Sequence, residues 1–227
     1  MKDDRWKDLE ESLERLMPYY EKMNSIMSLG NDKYIREEGL ENIDFANDYL
    51  DAGSGPGNMA EIVTKKLSVK NVFMMDPSKS LLAINRVKGE RILGKFENMP
   101  FRNSSFDLIT CAFSFRDAIS HEKAANEISR VLNENGKFLL VDIGKPDNPI
   151  IQFFFFIYIL IFPVLSSILV TRGRLIHEYF TLFFTYLDYP SRRRIERMFK
   201  NNGLRLIREG RRFGGALFYQ LWLKTKI

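Results

Sequence analysis

Tyr49–Leu50–Asp51–Ala52–Gly53–Ser54–Gly55–Pro56–Gly57–Asn58 is an apolar run, an acid and three alternate glycines in succession. A strand that stops at such a loop ahead of a helix brings bare backbone N–H groups against a ligand, since glycine has no Cβ to hold it off. Working outward, Asp76 closes the next apolar run, Asn71–Met75, 25 residues beyond Asp51. An acid at the tip of a second strand can accept both hydroxyls of a ribose. The glycines alone are compatible with an ordinary tight turn. Combined with the two acids and the flanking strand–helix pattern, they point to an adenosine-type cofactor.

Two such cofactors compete. The dinucleotide fingerprint is G-x-G-x-x-G, with the helix N-terminus facing a pyrophosphate. Here the spacing is G-x-G-x-G with Asp51 immediately ahead, and a carboxylate there would repel a pyrophosphate. It suits S-adenosylmethionine (SAM), which carries an ammonium and a sulfonium and no phosphate.

The rest of the chain alternates strands and helices. The apolar spacing of Leu9, Leu13, Leu16 and Met17 predicts an amphipathic helix over Asp8–Met17, ended by Pro18. Tyr19 to Ile35 reads as a connection. Strands are expected around Asn47–Leu50, Asn71–Met75, Glu90–Leu93, Phe106–Phe113 and Lys137–Ile143, and helices over Met59–Leu67, Ser78–Arg86 and His121–Leu132. Pro77–Ser78 suits a helix start and Asn135–Gly136 a stop and turn. A basic helix over Tyr189–Asn201 then leads to a hairpin of Leu204–Glu209 and Ala216–Leu223. This pattern predicts one α/β domain over residues 1–227: a doubly wound, mostly parallel seven-stranded sheet with an antiparallel last strand. Residues 1–40 form an N-terminal helical cap, and 148–188 an apolar helical insertion before the final helix and strands.

Bulk properties narrow the surroundings. A chain of 227 residues with no Pro/Gly/Ser-rich linker and no internal repeat holds one sizeable core. The single cysteine, Cys111, excludes an internal disulfide, fits a reducing compartment and falls in a buried strand. The charged opening Met1–Lys2–Asp3–Asp4–Arg5 is not a signal pattern. No Cys/His/carboxylate set has metal-ligand spacing, so no metal is expected. The net charge of +5 is uneven: residues 171–227 carry 13 Lys/Arg and 4 Asp/Glu. Such asymmetry marks either a solvated face or a surface for anionic lipid or nucleic acid.

Lipid is favoured by Ile150–Val170, 21 residues without a formal charge, followed by Arg172 and Arg174. The run has the length of a membrane span, yet one complete crossing would strand the last strands on the wrong side. Pro163 is also expected to interrupt it. One or two helices lying on the membrane surface or roofing an apolar cleft are therefore expected. A buried core segment or subunit contact, such as a homodimer, is the plainer alternative.

The chain resembles the class I SAM-dependent methyltransferases over residues 45–145. The resemblance rests on the Asp51–Gly57 loop, Asp76, Met99–Pro100–Phe101, Ser105–Phe106–Asp107 and Arg130–Val131–Leu132. It is similar more narrowly to the ubiquinone/menaquinone biosynthesis C-methyltransferases. That likeness rests on Tyr20–Glu21–Lys22–Met23–Asn24, Ser28–Leu29–Gly30 and Phe113–Ser114–Phe115–Arg116–Asp117. Tyr186–Leu187, Pro190–Ser191, Gly203–Leu204 and Gly214–Gly215–Ala216 extend it to the C-terminal region.

The resemblance implies SAM bound by Asp51, Gly53, Ser54, Gly55, Asp76, Pro77, Lys95, Phe96 and Ala112, with the Phe96 backbone left to meet the adenine. It implies a catalytic cluster of Tyr20, Arg116 and Asp117, with Arg116 orienting or polarising a ring oxygen and Asp117 fixing Arg116 or taking a proton. Arginine stays protonated and is not itself the base. His121 is expected to begin a surface helix, and His177 to have a surface or packing role. The implied activity is C-methylation of a prenylated quinone precursor by a cytoplasmic protein held peripherally at the inner face of the membrane. Methylation of another apolar small molecule or lipid, and a non-catalytic SAM-binding protein, are the alternatives. Nucleic acid is not an expected partner, since an Asn/Asp-Pro-Pro-aromatic base-flipping signature is absent.

Overall fold

The computed structural model describes Arg15, Ser28 and residues 30–173 and 183–225. Apart from Arg15 and Ser28, the expected first helix and the segment with Tyr20, Met23 and Asn24 lie outside the described residues, as does His177. The first described helix, α1 (Asn31–Gly39), falls partly in the stretch read as a connection. Its sequence is mostly polar, so it carries little apolar period. It is held instead by Ser28 Oγ, which accepts the Asp32 N–H at 3.2 Å, and by the Asp32–Arg36 pair at 2.9 Å.

Then follow β1 (Phe45–Ala52), α2 (Asn58–Lys66), β2 (Ser68–Asp76), α3 (Lys79–Ile84), β3 (Glu90–Leu93) and β4 (Phe106–Ala112). A 3-10 turn (Phe115–Asp117) leads to α4 (His121–Val131) and β5 (Leu132–Ile143). The chain ends with α5 (Pro149–Thr171), α6 (Arg192–Asn201), β6 (Leu204–Arg212) and β7 (Leu217–Lys224). The seven strands order as β3-β2-β1-β4-β5-β7-β6. The pairs among β1–β5 are parallel, and β7 lies antiparallel between β5 and β6. The doubly wound sheet with one antiparallel strand is as the sequence predicts.

The apolar centres of β1 and β4 are continuous because each face of the sheet has its own helical cover. Leu50, Ile109 and Phe138 point into one core with Phe199 and Trp222, roofed by α4 and α6. Their neighbours Tyr49, Leu108 and Leu139 point into the other, with Ile35 of α1 and Val63 of α2. Cys111 is fully buried, as expected.

Several boundaries shift. β1 and β2 are longer than their apolar runs because ladder pairing carries polar residues such as Ser68 and Asp48 along. β4 stops at Ala112, since Phe113 turns to a φ of +62°. Asn135–Gly136 lies within the span of β5 as a kink at Asn135, with φ +60°, where the pairing with β4 changes register. The final helix begins only at Arg192, with Ser191 as its N-cap.

Pro163 does not break the apolar segment. Helix α5 runs through it for 23 residues, capped by Asn148 Oδ1 accepting the Ile150 and Ile151 N–H groups and ended at Arg172. Proline's fixed φ is itself near-helical, and the missing donor and ring crowding that cost a helix interior about 3 kcal/mol do not end this one. Among the described residues no helix is long and apolar enough to cross a membrane. Topology agrees for α5: β5 before it and β7 after it are partners in one sheet.

Candidate active site

The carboxyl ends of β1, β2 and β4 open into a cleft at the point where the strand order reverses, where ligands of open α/β sheets bind. Gly53, Gly55, Asp76 and Pro77 line one side of it. Lys95, Phe96 and Glu97 form a second wall, and Phe113, Ser114, Arg116 and Asp117 a third.

The loop after β1 approaches this cleft differently from the sequence expectation. The N–H groups of Gly53 and Ser54 do not reach out to a ligand. Both donate to the Met75 carbonyl, at 2.8 and 3.0 Å, and the Gly55 N–H donates to Asp76 at 2.8 Å. The loop is laced to the tip of β2 by these three bonds. Gly53, at φ +69°, would place a Cβ 2.2 Å from Ser114 Oγ, so only glycine fits between the β1 loop and the β4 loop.

Asp51 and Ser54 are both buried. Asp51 accepts from Thr110 Oγ1 at 2.8 Å, Ser54 Oγ at 2.9 Å and the Ala60 N–H at 3.2 Å. Burial pushes its carboxyl above the usual range, and these three donors pull it back. Asp51 thus organises the loop from below and ties it to the first turn of α2. Ala112 closes β4 one residue short of the cleft wall.

Asp76 does face the cleft. Each of its oxygens already accepts one amide N–H, from Gly55 at 2.8 Å and from Ser78 at 2.9 Å. A carboxylate oxygen has a second lone pair, so both remain able to accept. Burial raises its pKa to about 6, against these two hydrogen bonds. A glycine cradle closed to a Cβ at Gly53, beside a buried carboxylate with spare acceptor capacity, fits an adenosine-bearing cation with a ribose diol.

Arg116 and Asp117 sit in the 3-10 turn directly after β4. Phe115, fully buried against Phe96, His121, Tyr189 and Phe199, pins that turn, so its two charged neighbours are held at the cleft. Arg116 Nε lies 3.7 Å from Asp117 Oδ1. His121 begins α4 as expected, but its ring packs between Phe115 and Tyr189, and burial lowers its pKa. Asp142, at the end of β5, escaped the sequence reading: Arg116 Nη1 is 3.5 Å from its Oδ1. The signal available was an acid ending an apolar strand, the same pattern that marked Asp51 and Asp76.

The sheet order, the reversal cleft and the glycine loop define a class I SAM-dependent methyltransferase. Solved structures with this fold include a chain of the complex between the Haloferax volcanii Trm112 methyltransferase activator and a methyltransferase, at a TM-score of 0.70 and 11% identity, covering 96% of this chain and 98% of that one. A SAM-dependent methyltransferase of Aquifex aeolicus gives 0.57 and 15%, covering 88% and 92%. The family model described as the ubiE/COQ5 methyltransferase family matches residues 1–221, and the chain belongs to that family. Its relatives include the demethylmenaquinone methyltransferase of Lactobacillus johnsonii, 26% identical over 214 residues, 88% of this chain and 85% of that protein. The ubiquinone/menaquinone biosynthesis C-methyltransferase UbiE of Rickettsia typhi is 29% identical over 221 residues, 89% and 87%. The protein is a SAM-dependent methyltransferase.

Proposed function

We propose that the chain methylates a ring carbon of a prenylated quinol, a demethylmenaquinol-like acceptor, at the surface of a membrane. The observation that carries this reading is the Arg116–Asp117 turn, which lines the same cleft as Gly53 and Asp76. Bound SAM supplies an electrophilic methyl group whose leaving thioether is neutral, so the chain has little charge to stabilise on that side. Its tasks are to hold the acceptor carbon in line, a matter of orientation, and to make the ring electron-rich. A protonated guanidinium beside a ring hydroxyl lowers the cost of its ionisation, and a carboxylate nearby accepts the proton. Arg116 and Asp117 fit these two roles. Tyr20, outside the described residues, is the family's further candidate for the same oxygen.

The membrane part of the reading rests on α5. Ile150, Phe154, Ile161, Leu165 and Ile168 recur at helical spacing along one face, and each is between 49% and 68% exposed. The stripe is about 27 Å long. A contiguous exposed apolar face of this extent marks an interaction surface, and a prenyl tail anchored in lipid gives it a purpose. The names of the relatives in quinone biosynthesis support the substrate class.

The test is incubation of the full chain with methyl-labelled SAM and a demethylmenaquinol in detergent micelles, followed by mass analysis. Label on a ring carbon is the expected result. Label on a different lipid of a membrane extract, with none on the quinol, would replace the substrate and keep the chemistry.

A further inference from the structure

Behind the cleft wall lies a cluster of ionisable groups that the reading above does not use. Asp142 ends β5 with no exposed surface, and from there it faces Arg116. Its Oδ1 accepts the Ile143 N–H at 2.9 Å, while its Oδ2 is buried without a hydrogen bond. The Tyr189 hydroxyl, also buried, is beside it, and Cys111 approaches from β4. From the 3-10 turn come Arg116 and Asp117, and across the ladder on β7 the partner is uncharged Phe218.

One guanidinium thus lies within ion-pair distance of two carboxylates, Asp117 at 3.7 Å lining the cleft and Asp142 at 3.5 Å sealed beneath it. Burying an acid this deeply is costly unless a cation compensates it. An aliphatic residue here would continue the apolar run of β5 at no such cost. The acid therefore serves its neighbour.

We propose that Asp142 is a positioning residue: from beneath the cleft it anchors the Arg116 guanidinium in the orientation that, with Asp117, meets the acceptor's ring oxygen. The statement rests on the role given to Arg116 above. Burial raises the Asp142 pKa to about 6, opposed by Arg116. The anchor is charged above that pH and neutral below it.

The experiment compares the full chain with Asp142→Asn, at saturating SAM so that titration of the cofactor site does not enter. The substrate is the micellar demethylmenaquinol. Expected is a fall in kcat of about ten-fold or more, in line with the sensitivity of catalysis to small misplacements. The KM for SAM should be unchanged, and the acidic limb near pH 6 shown by the wild type should be lost from the residual activity. Wild-type kcat across the pH range, or a reduced kcat with the limb intact, overturns the proposal. A second readout needs no turnover: the ¹⁵N signal of Arg116 Nε in the unmutated protein. It should shift as pH falls through about 6, and a flat titration overturns the anchor even if Asp142→Asn fails to fold. A wild type that leaves the quinol unmethylated but shows the Arg116 titration refutes the substrate reading and upholds the anchor.

Discussion

The Asp76 carboxylate accepts the Gly55 N–H at 2.8 Å, so the acid that ends β2 also holds the glycine loop that ends β1. One side chain therefore shapes the cofactor cradle and faces into it. Its pKa is raised to about 6 by burial. A carboxyl with a raised folded pKa contributes stability that is fully present below its unfolded value and is lost as pH rises towards 6. Ionised Asp76 is thus costly to bury, and hydrogen bonds from a ribose offset that cost.

SAM affinity should accordingly weaken as pH falls through about 6, because protonated Asp76 accepts less well. Asp76→Asn should lower affinity at pH 7.5 by roughly 10- to 150-fold, the worth of a charge-assisted hydrogen bond of about 1.5–3 kcal/mol. Calorimetric titration across pH checks both. Unchanged affinity in the variant would remove Asp76 from the cofactor site.

Gly53→Ala addresses the same cradle from the other side. Its φ of +69° and the 2.2 Å approach of a Cβ to Ser114 Oγ leave alanine no room without moving the β4 loop. The left-handed backbone alone costs about 1–2 kcal/mol. Melting temperature should fall, and SAM affinity should fall further than stability does. An alanine variant that binds SAM as the wild type does would show that the two loops are not in register with the cofactor.

The sheet was legible because its signals are local. The alternation of strand and helix, the glycine loop and Asp76 each announce themselves within a few residues. What the sequence hid was where those groups spend their hydrogen bonds. Asp51 reads as a cofactor ligand beside the loop, and only the structure shows that it also accepts from three internal donors, one of them Thr110 from β4. The N–H groups of Gly53 and Ser54 are likewise taken by Met75. Asp142 carried the same strand-end signal as Asp51 and Asp76, but its partner did not show: only folding brings the end of β5 under the turn that follows β4. The polar helix α1 lacked apolar period, and Pro163 suggested a break that the helix does not have.

Arg130 illustrates a conspicuous residue whose work is at a distance. It donates to the carbonyls of Met99 and Phe101, to Asn103 and to Glu127, and Glu127 in turn accepts the Met99 N–H at 2.7 Å. This bracket sets the loop that carries Lys95 and Phe96 to the cleft. Arg130→Ala should cost about 2–3 kcal/mol for the polar groups left unpaired, seen as a drop in Tm of roughly 4–12 °C. Cofactor affinity should weaken several-fold, and cofactor added in excess should restore part of the Tm. A variant melting with the wild type would mean that the loop holds itself.

The apolar stripe of α5 gives the last prediction. Its five side chains are about half exposed in water. Moving them into lipid is worth roughly 4–7 kcal/mol at about 1.5–3 kcal/mol for each fully buried side chain. Residues 171–227, with 13 Lys/Arg against 4 Asp/Glu, add attraction to anionic headgroups. The full chain should therefore sediment with phosphatidylglycerol vesicles, less so at high salt. Phe154→Glu combined with Leu165→Glu should cut vesicle binding at least ten-fold. Both positions face outward, so the melting temperature should hold. Turnover of a short-tailed, micellar quinol should also survive, while turnover of a long-tailed one in vesicles should fall. Loss of vesicle binding by the double variant with equal turnover of both substrates would separate the helix from substrate access. Monomerisation of a dimeric wild type, with no vesicle binding by either protein, would assign the stripe to a subunit interface instead.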